Sequence, residues 1–266
     1  MIKELIYKKF DDERLLKESK EFDKDKKINF APSYLNDCKR KIFYKKTNTP
    51  ASNPNDSHSY IKFAMGDSVH EKIQSILKEI GIYQDGEGWN EKEFLGLNWI
   101  YRYDGKIINN NTQFIIEIKS AYAAGIESIE RYGVKEDHIL QLYMYMLFEK
   151  IDNGVLFYIG RDNGYMLEYH YTINSLCEKY GDIVEKKIIE LVKLKSDIEQ
   201  NKILDRDFNI VMKNNKNVVV FDFQKDNIKY KSDWQCNYCS WKNKCWDKEL
   251  EEIKNNSFYI AGEFTK

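Results

Sequence analysis

Residues 113–119 read QFIIEIK, a run of β-branched and aromatic residues bounded by polar stretches, and this pattern predicts a strand. Side chains alternate along a strand, so Glu117 and Lys119 project to one side and Ile116 and Ile118 to the other. A carboxylate and an ammonium on so apolar a strand are costly unless they are paired or ligating. Asp104, followed by Gly105, ends the preceding hairpin and lies beside Glu117 if the two strands pair across a loop near 109–112. Two converging carboxylates offer oxygen ligands suited to Mg²⁺ or Mn²⁺. Such a metal polarises a phosphodiester and lowers the pKa of a bound water. Lys119 would then orient that water or offset charge in the transition state. The same E-x-K pattern also serves as a plain cross-strand ion pair on a surface hairpin.

Around this strand the periodicity predicts an α/β fold with a mixed central sheet flanked by helices. A helix is expected over 33–46, with Ser33 as N-cap after Pro32 and Leu35, Cys38, Ile42 and Phe43 at helical spacing. After a loop at 48–57, a long helix over about 58–80 carries the apolar stripe Met65, Val69, Ile73, Ile76, Leu77 and Ile80, and Gly81 stops it. Strands of a meander follow at 91–95, 97–103, 105–108 and 113–119. Helices at 121–132 and 137–150, strands at 154–160 and 165–171, a helix at 174–200 and a strand-like VVVFDF segment at 218–223 complete the pattern. On the 137–150 helix, His138, Gln141 and Tyr145 share one face, while Leu140, Met144, Leu147 and Phe148 supply the core side. That polar stripe either hydrogen-bonds substrate or is the rim of an amphipathic helix. His70, four residues after Gly66, is either structural or a ligand.

Three of the five cysteines, Cys236, Cys239 and Cys245, fall in CNYCSWKNKC. Three thiolates are one short of a tetrahedral metal site. An odd, clustered set in a reducing compartment points to metal or redox chemistry rather than disulfides. Cys₄ sites hold zinc and iron–sulfur clusters alike. Cys177 is expected to be a buried small apolar residue. With 266 residues and 42% hydrophobic content, the chain can form a sizeable core. Three prolines and no obvious linker favour one domain with a small appended module. A net charge of -1 does not point to nucleic acid. The basic runs Lys39-Arg40-Lys41 with Lys45-Lys46, and 225–231, form either patches or solvated surface. MIKELIYKKF has no long apolar run, and no stretch approaches the roughly 20 apolar residues of a membrane span, so no membrane association and a cytoplasmic location are expected.

These pieces follow an order: Cys38, Gly66-x-x-x-His70, Asp104-Gly105, Glu117-Ile118-Lys119, Gln141-x-x-x-Tyr145, then Cys236-x-x-Cys239 with Cys245. The ordered set resembles the PD-(D/E)XK nuclease superfamily over about residues 33 to 246. Within it, the chain resembles the RecB-like branch with an iron–sulfur cluster, which includes CRISPR-associated RecB-type exonucleases, their phage-borne relatives and the AddB nuclease domain. The resemblance implies that His70, Asp104, Glu117 and the Ile118 carbonyl bind Mn²⁺ or Mg²⁺ and that Lys119 is catalytic. It implies that Gln141 and Tyr145 place substrate and lysine, and that Cys38, Cys236, Cys239 and Cys245 hold a [4Fe–4S] cluster. The fourth ligand would then lie some two hundred residues upstream, closing a long loop and stapling the two termini across the core.

On this resemblance the whole chain, 1–266, is a single nuclease domain. Its catalytic core spans about 60–200, and an iron–sulfur module is formed by 33–46 and 224–250. The implied activity is metal-dependent exonucleolytic hydrolysis of DNA, preferably single-stranded, leaving 5′-phosphates. The alternative is a non-catalytic or partner-activated DNA-binding subunit. The implied associates are a CRISPR integrase complex or phage recombination and replication proteins. The chain departs from the branch in being less basic and in carrying a polar NNN loop at 109–111. No GxxxxGK[ST] loop is present, so single strands or a separate unwinding partner would be needed. Tyr34, Phe43 and Tyr44 are candidates for stacking on bases or, equally, for packing in the core.

Overall fold

The structure is a computed structural model, and it describes residues 2–18, 27–86, 88–207, 209–212, 222–225, 228–232, 234–247 and 258–264. In chain order the elements are α1 (Ile2–Glu18), β1 (Asn29–Phe30), a 3₁₀ turn (Pro32–Asn36), α2 (Lys39–Lys46), α3 (Ser57–Ile80), β2 (Tyr83–Asp85), β3 (Asn90–Phe94), β4 (Leu97–Tyr101), β5 (Gly105–Asn109) and β6 (Thr112–Ala121). Then come α4 (Ala123–Tyr132), α5 (Glu136–Glu149), β7 (Asn153–Gly160), β8 (Met166–Thr172) and α6 (Ile173–Glu199). The last are β9 (Asn209–Met212), β10 (Asp222–Lys225), β11 (Ile228–Ser232), α7 (Trp234–Asn237), α8 (Lys242–Cys245) and β12 (Phe258–Phe264). The chain divides into two compact units. The larger comprises Asp25–Asp37 and Ser59–Lys195, and the other Met1–Lys24, Cys38–His58 and Ser196–Lys266. No helix among the described residues is long and apolar enough to cross a membrane.

The larger unit has the expected mixed α/β character. Its main sheet has the order β2-β5-β6-β7-β8, with β6 antiparallel to β5 and parallel to β7. Ile115, Ile116, Glu117 and Ile118 are all buried, so both faces of β6 are covered. Ile116 and Ile118 join Ile73 of α3 and Ile107 in one apolar cluster, with Val69, Ile76 and Leu77 packed against it. Met65 and Ile80, expected on that stripe, are exposed at the ends of the contact. Gly81 ends α3 as anticipated, at φ 84° with its N–H bonded to the Lys78 carbonyl.

The expected meander is instead two hairpins in two sheets. β3 and β4 pair with each other, and β4 pairs in parallel with β1. The chain then leaves that sheet through residues 102–104 and enters the main one at Gly105. The β5–β6 turn is two residues long: Asn110 and Asn111 sit at φ 49° and 61°, the geometry of a tight primed turn that asparagine tolerates. The NNN stretch, read from sequence as a polar loop, is therefore part of a defined hairpin.

Close backbone approach fixes the start of β5. A Cβ on Gly86 would lie 2.6 Å from the Gly105 Cα and 2.8 Å from the Asp104 carbonyl oxygen. Both are backbone atoms, so a side chain there must move the chain itself. Gly86→Ala is expected to cost on the order of 1–3 kcal/mol of stability, measured by denaturant unfolding. An unchanged midpoint would show that this approach is looser than drawn.

Three local expectations need correction. The 33–46 helix is broken: Asp37 is extended, at φ -78° and ψ 151°, and Cys38 is the N-cap residue of α2, so Ser33 caps nothing here. α5 is not amphipathic in the simple sense. Tyr145 is 3% exposed along with Leu140, Met144 and Phe148, because α5 is packed against both β7 and the Pro32–Asn36 turn. Cys177 is exposed: α6 buries Leu176, Tyr180, Val184, Ile188 and Leu191, and the next position turns out of that stripe. Of the 218–223 segment, residues 218–221 lie outside the described residues; Asp222 and Phe223 begin β10.

Candidate functional site

The sequence motifs meet at one end of the β5–β6 hairpin. Gly105 pairs with Ile116, which places Asp104 just beyond the strand end and level with Glu117 and Ile118. The Asp104 Oδ2 accepts a 2.6 Å hydrogen bond from the Ile118 N–H, and its Oδ1 lies 3.0 Å from the His70 Nδ1. Its backbone carbonyl accepts from Gln74 Nε2 at 2.7 Å and from the Tyr83 hydroxyl at 3.1 Å. Gln74 lies one helical turn after His70 on α3, and neither it nor Tyr83 was singled out from sequence. For Gln74 the available signal was its four-residue spacing from His70, which puts those two on one face of α3.

Glu117 is 3% exposed and accepts a hydrogen bond from the Lys119 ammonium. Lys119 also donates to Gln141 Oε1 at 2.9 Å, and Gln141 Nε2 donates to the Tyr145 hydroxyl at 2.8 Å. So Gln141 and Tyr145 do not form an open polar stripe. They are a relay, with Gln141 half-buried and Tyr145 buried, that holds the lysine. Replacing Gln141 by Leu removes the amide oxygen without shortening the side chain, and is expected to lower the turnover of any lysine-dependent reaction by about tenfold or more. Unchanged turnover would show that Glu117 alone positions Lys119. His138 stands apart from this relay, its Nδ1 2.8 Å from the Tyr158 hydroxyl, and burial pushes its imidazole down to about 4.

The electrostatics are those of a site lacking positive charge. Burial pushes the Glu117 carboxyl up to about 7; Lys119 pulls it down, while the Asp104 carboxylate adds to the rise. Burial opposes the Lys119 ammonium, yet Glu117 holds its pKa above the ordinary lysine value. At His70 burial is likewise outweighed, here by the hydrogen bond to Asp104, and the imidazole is raised. Beside the cluster opens a cleft of about 490 Å³ lined by Asp67, His70, Glu71, Gln74, Gly86, Gly88, Arg102 and Asp104. Among the described residues, no three His, Cys, Asp or Glu side chains already stand close enough together to hold a metal ion. Asp104 and Glu117 engage their oxygens internally, with His70, the Ile118 N–H and Lys119. The donor set nevertheless suits a hard cation: two carboxylates and an imidazole, with one carboxylate too buried to carry its charge comfortably.

The cysteine set lies within the smaller unit. Cys38, Cys236, Cys239 and Cys245 all line one small cavity of about 20 Å³, together with Arg40, Lys41, Tyr44, Gln235, Lys242 and Trp246. Burial pushes the Cys38 thiol up to about 12, so the free thiol stays protonated. Two N–H groups point at sulfur: Arg40 Nη1 lies 3.5 Å from Cys245 Sγ, and the Trp241 backbone N–H donates to Cys239 Sγ at 3.4 Å. Arg40 Nε and Trp246 Nε1 are buried without a hydrogen-bond partner among the described residues. Donors aimed at a cysteine-lined hollow suit an anionic thiolate cluster. The 47–56 loop secures this segment. The Trp241 indole donates to the Thr49 carbonyl at 2.8 Å, the Asn243 N–H to Asn53 Oδ1 at 2.7 Å and the Lys244 N–H to Ser52 Oγ at 3.0 Å.

The aromatic candidates for base stacking are buried: Tyr34, Phe43 and Tyr44 are 9%, 2% and 4% exposed. They pack rather than present faces. In the first basic run, Lys39 pairs with Asp207 and Arg40 with Cys245, while the side chains of the second run lie outside the described residues.

No family model matches the chain, and no curated protein does. Among solved structures, the chain is similar to that of SSO0001 at 19% identity, over 90% of this chain and 93% of that one, with a TM-score of 0.46. It is also similar to an alkaline exonuclease of Laribacter hongkongensis at 16% identity, over 65% of this chain and 91% of that one, with a TM-score of 0.46. The same exonuclease in complex with dAMP gives 15% identity and a TM-score of 0.47 over the same shares. These are partial overlaps, and the functional reading rests on the geometry of the site itself.

Proposed function

We propose that the chain is a metal-dependent deoxyribonuclease of the PD-(D/E)XK type, acting exonucleolytically on single-stranded DNA. The observation that carries this reading is the convergence of Asp104, Glu117, Lys119 and His70 on one strand end beside an open, acid-lined cleft. Asp104, Glu117, His70 and the Ile118 carbonyl would hold Mn²⁺ or Mg²⁺. Bound there, the metal supplies charge for a phosphodiester oxygen and a more acidic water. The chain's own residues do the rest. Lys119 places the attacking water and faces the charge that grows on phosphorus. Gln141 and Tyr145 keep its ammonium aimed. His70, Gln74 and Tyr83 hold Asp104 at the strand end.

In the same proposal Cys38, Cys236, Cys239 and Cys245 hold a [4Fe–4S] cluster that ties distant parts of the sequence together. The buried N–H donors around the sulfurs support this assignment. The nuclease reading covers the whole chain, and DNA is its partner.

Metal binding tests the site directly. Calorimetric titration of the purified protein with Mn²⁺ should show a saturable site that Asp104→Asn weakens at least tenfold. Identical Mn²⁺ isotherms for the parent and Asp104→Asn would remove the carboxylate site from the account.

A further inference from the structure

The cleft presents a difficulty for an anionic substrate. Asp67, Glu71 and Asp104 line it, and Arg102 is its one arginine or lysine among the described residues. Arg102 is also built in place. It lies between Tyr101 and Tyr103, which are 5% and 3% exposed and pack within 6.5 Å of each other and of Tyr145. With both neighbours turned into that aromatic cluster, the exposed Arg102 side chain is directed the other way, into the cleft.

Trp89 stands over this guanidinium, 5.8 Å from ring centroid to the Arg102 carbon. It is 72% exposed, whereas the other tryptophans whose side chains are described are far less so: Trp99 and Trp246 are 0% and 2% exposed, and Trp241 is half-buried. An indole left in water gains nothing from the core, and one cation–π contact to an exposed arginine is worth little. Its neighbour Gly88 lines the cleft at φ 126°, a conformation that turns the chain sharply just before the indole.

We infer that Trp89 and Arg102 form a nucleotide clamp at the mouth of the cleft. The indole stacks on an unpaired base, and the guanidinium takes the phosphate next to the one being cut. An aromatic face with a cation beside it suits a single strand, whose bases are free to stack; a duplex keeps its bases covered. This rests on the nuclease reading and names the specificity element of the same site. The pair touches neither Glu117 nor Lys119, so it acts on binding and strand preference rather than on the chemical step.

The test uses the full-length protein and single-stranded oligothymidylate, with a blunt duplex as comparison. Trp89→Ala should raise KM on the single strand about tenfold, with kcat within twofold and little change on the duplex. Trp89→Phe should restore most of the loss. Arg102→Ala should weaken single-strand binding and flatten its salt dependence. Fluorescence anisotropy of the same labelled strand reads binding without cleavage, so the inference is tested even if the protein cuts nothing. Loss of anisotropy binding in Trp89→Ala then supports the clamp while the nuclease reading fails. Parent-like KM and anisotropy in both variants overturn the clamp while leaving the nuclease intact. A parent protein that neither binds nor cuts the strand overturns both.

Discussion

Glu117→Gln is expected to reduce metal-dependent DNA cleavage by at least about a hundredfold, the scale on which loss of one charge-stabilising group acts in a preorganised site. The substitution keeps the shape of the side chain and removes its charge. The native carboxylate is buried, and Lys119 is its hydrogen-bonded counter-charge. Because burial already pushes this carboxyl up to about 7, losing the charge should cost little stability, within about 1 kcal/mol of the parent. Lys119 retains Gln141 as acceptor, at 2.9 Å. Lys119→Met should abolish cleavage as well, but with a different stability signature. It leaves Glu117 buried without its hydrogen-bonded counter-charge, at a cost of about 1–3 kcal/mol. Thermal melts and single-turnover cleavage of the two variants separate the effects. Cleavage within tenfold of the parent for both would mean that this cluster is only an ion pair inside a sheet.

Cys239→Ala is expected to be strongly destabilising, although Cys239 is only half-buried and lies outside any helix or strand. If the four cysteines share a cluster, its loss releases a cross-link between residue 38 and residues 236–245. In the chain-entropy model, closing a loop of a hundred residues or more contributes about 4–5 kcal/mol. For a chain of this size that amounts to roughly 10 °C or more in Tm. The variant should also lose iron, sulfide and the visible absorption of the anaerobically purified protein. Cys177→Ala is the control: Cys177 is exposed on α6 and does not line the cysteine cavity, so its removal should leave metal content unchanged. Full metal content and a parent-like Tm in Cys239→Ala would refute the four-cysteine site. Zinc in place of iron would keep the staple and correct its chemistry.

The order of elements in the larger unit was legible from hydrophobic period, and the β6 strand most clearly. The meeting of Asp104 with Glu117 was legible on one condition, that the two strands pair across a loop near 109–112, and they do. Sheet membership was not. Residues 97–101 and 105–109 look alike in pattern, and only the strand pairings show where the chain changes sheets. The face of Tyr145 was misread because helical spacing tells which residues share a side, not that a 3₁₀ turn covers the second side of the helix. Gln74 and Tyr83 escaped notice because they support Asp104 through its backbone carbonyl, a role with no residue-type signature. Trp89 and Arg102 escaped because their meaning comes from exposure, which a sequence does not carry.

The most direct measurement is a cleavage assay on single-stranded DNA labelled separately at each end. Anaerobically purified protein would be assayed with Mn²⁺ or with EDTA, beside Glu117→Gln. The account predicts metal-dependent shortening from one end, absent in EDTA and in the variant. DNA that is bound yet left whole by the parent protein, cysteine cluster intact, would contradict it and leave a DNA-binding subunit in its place.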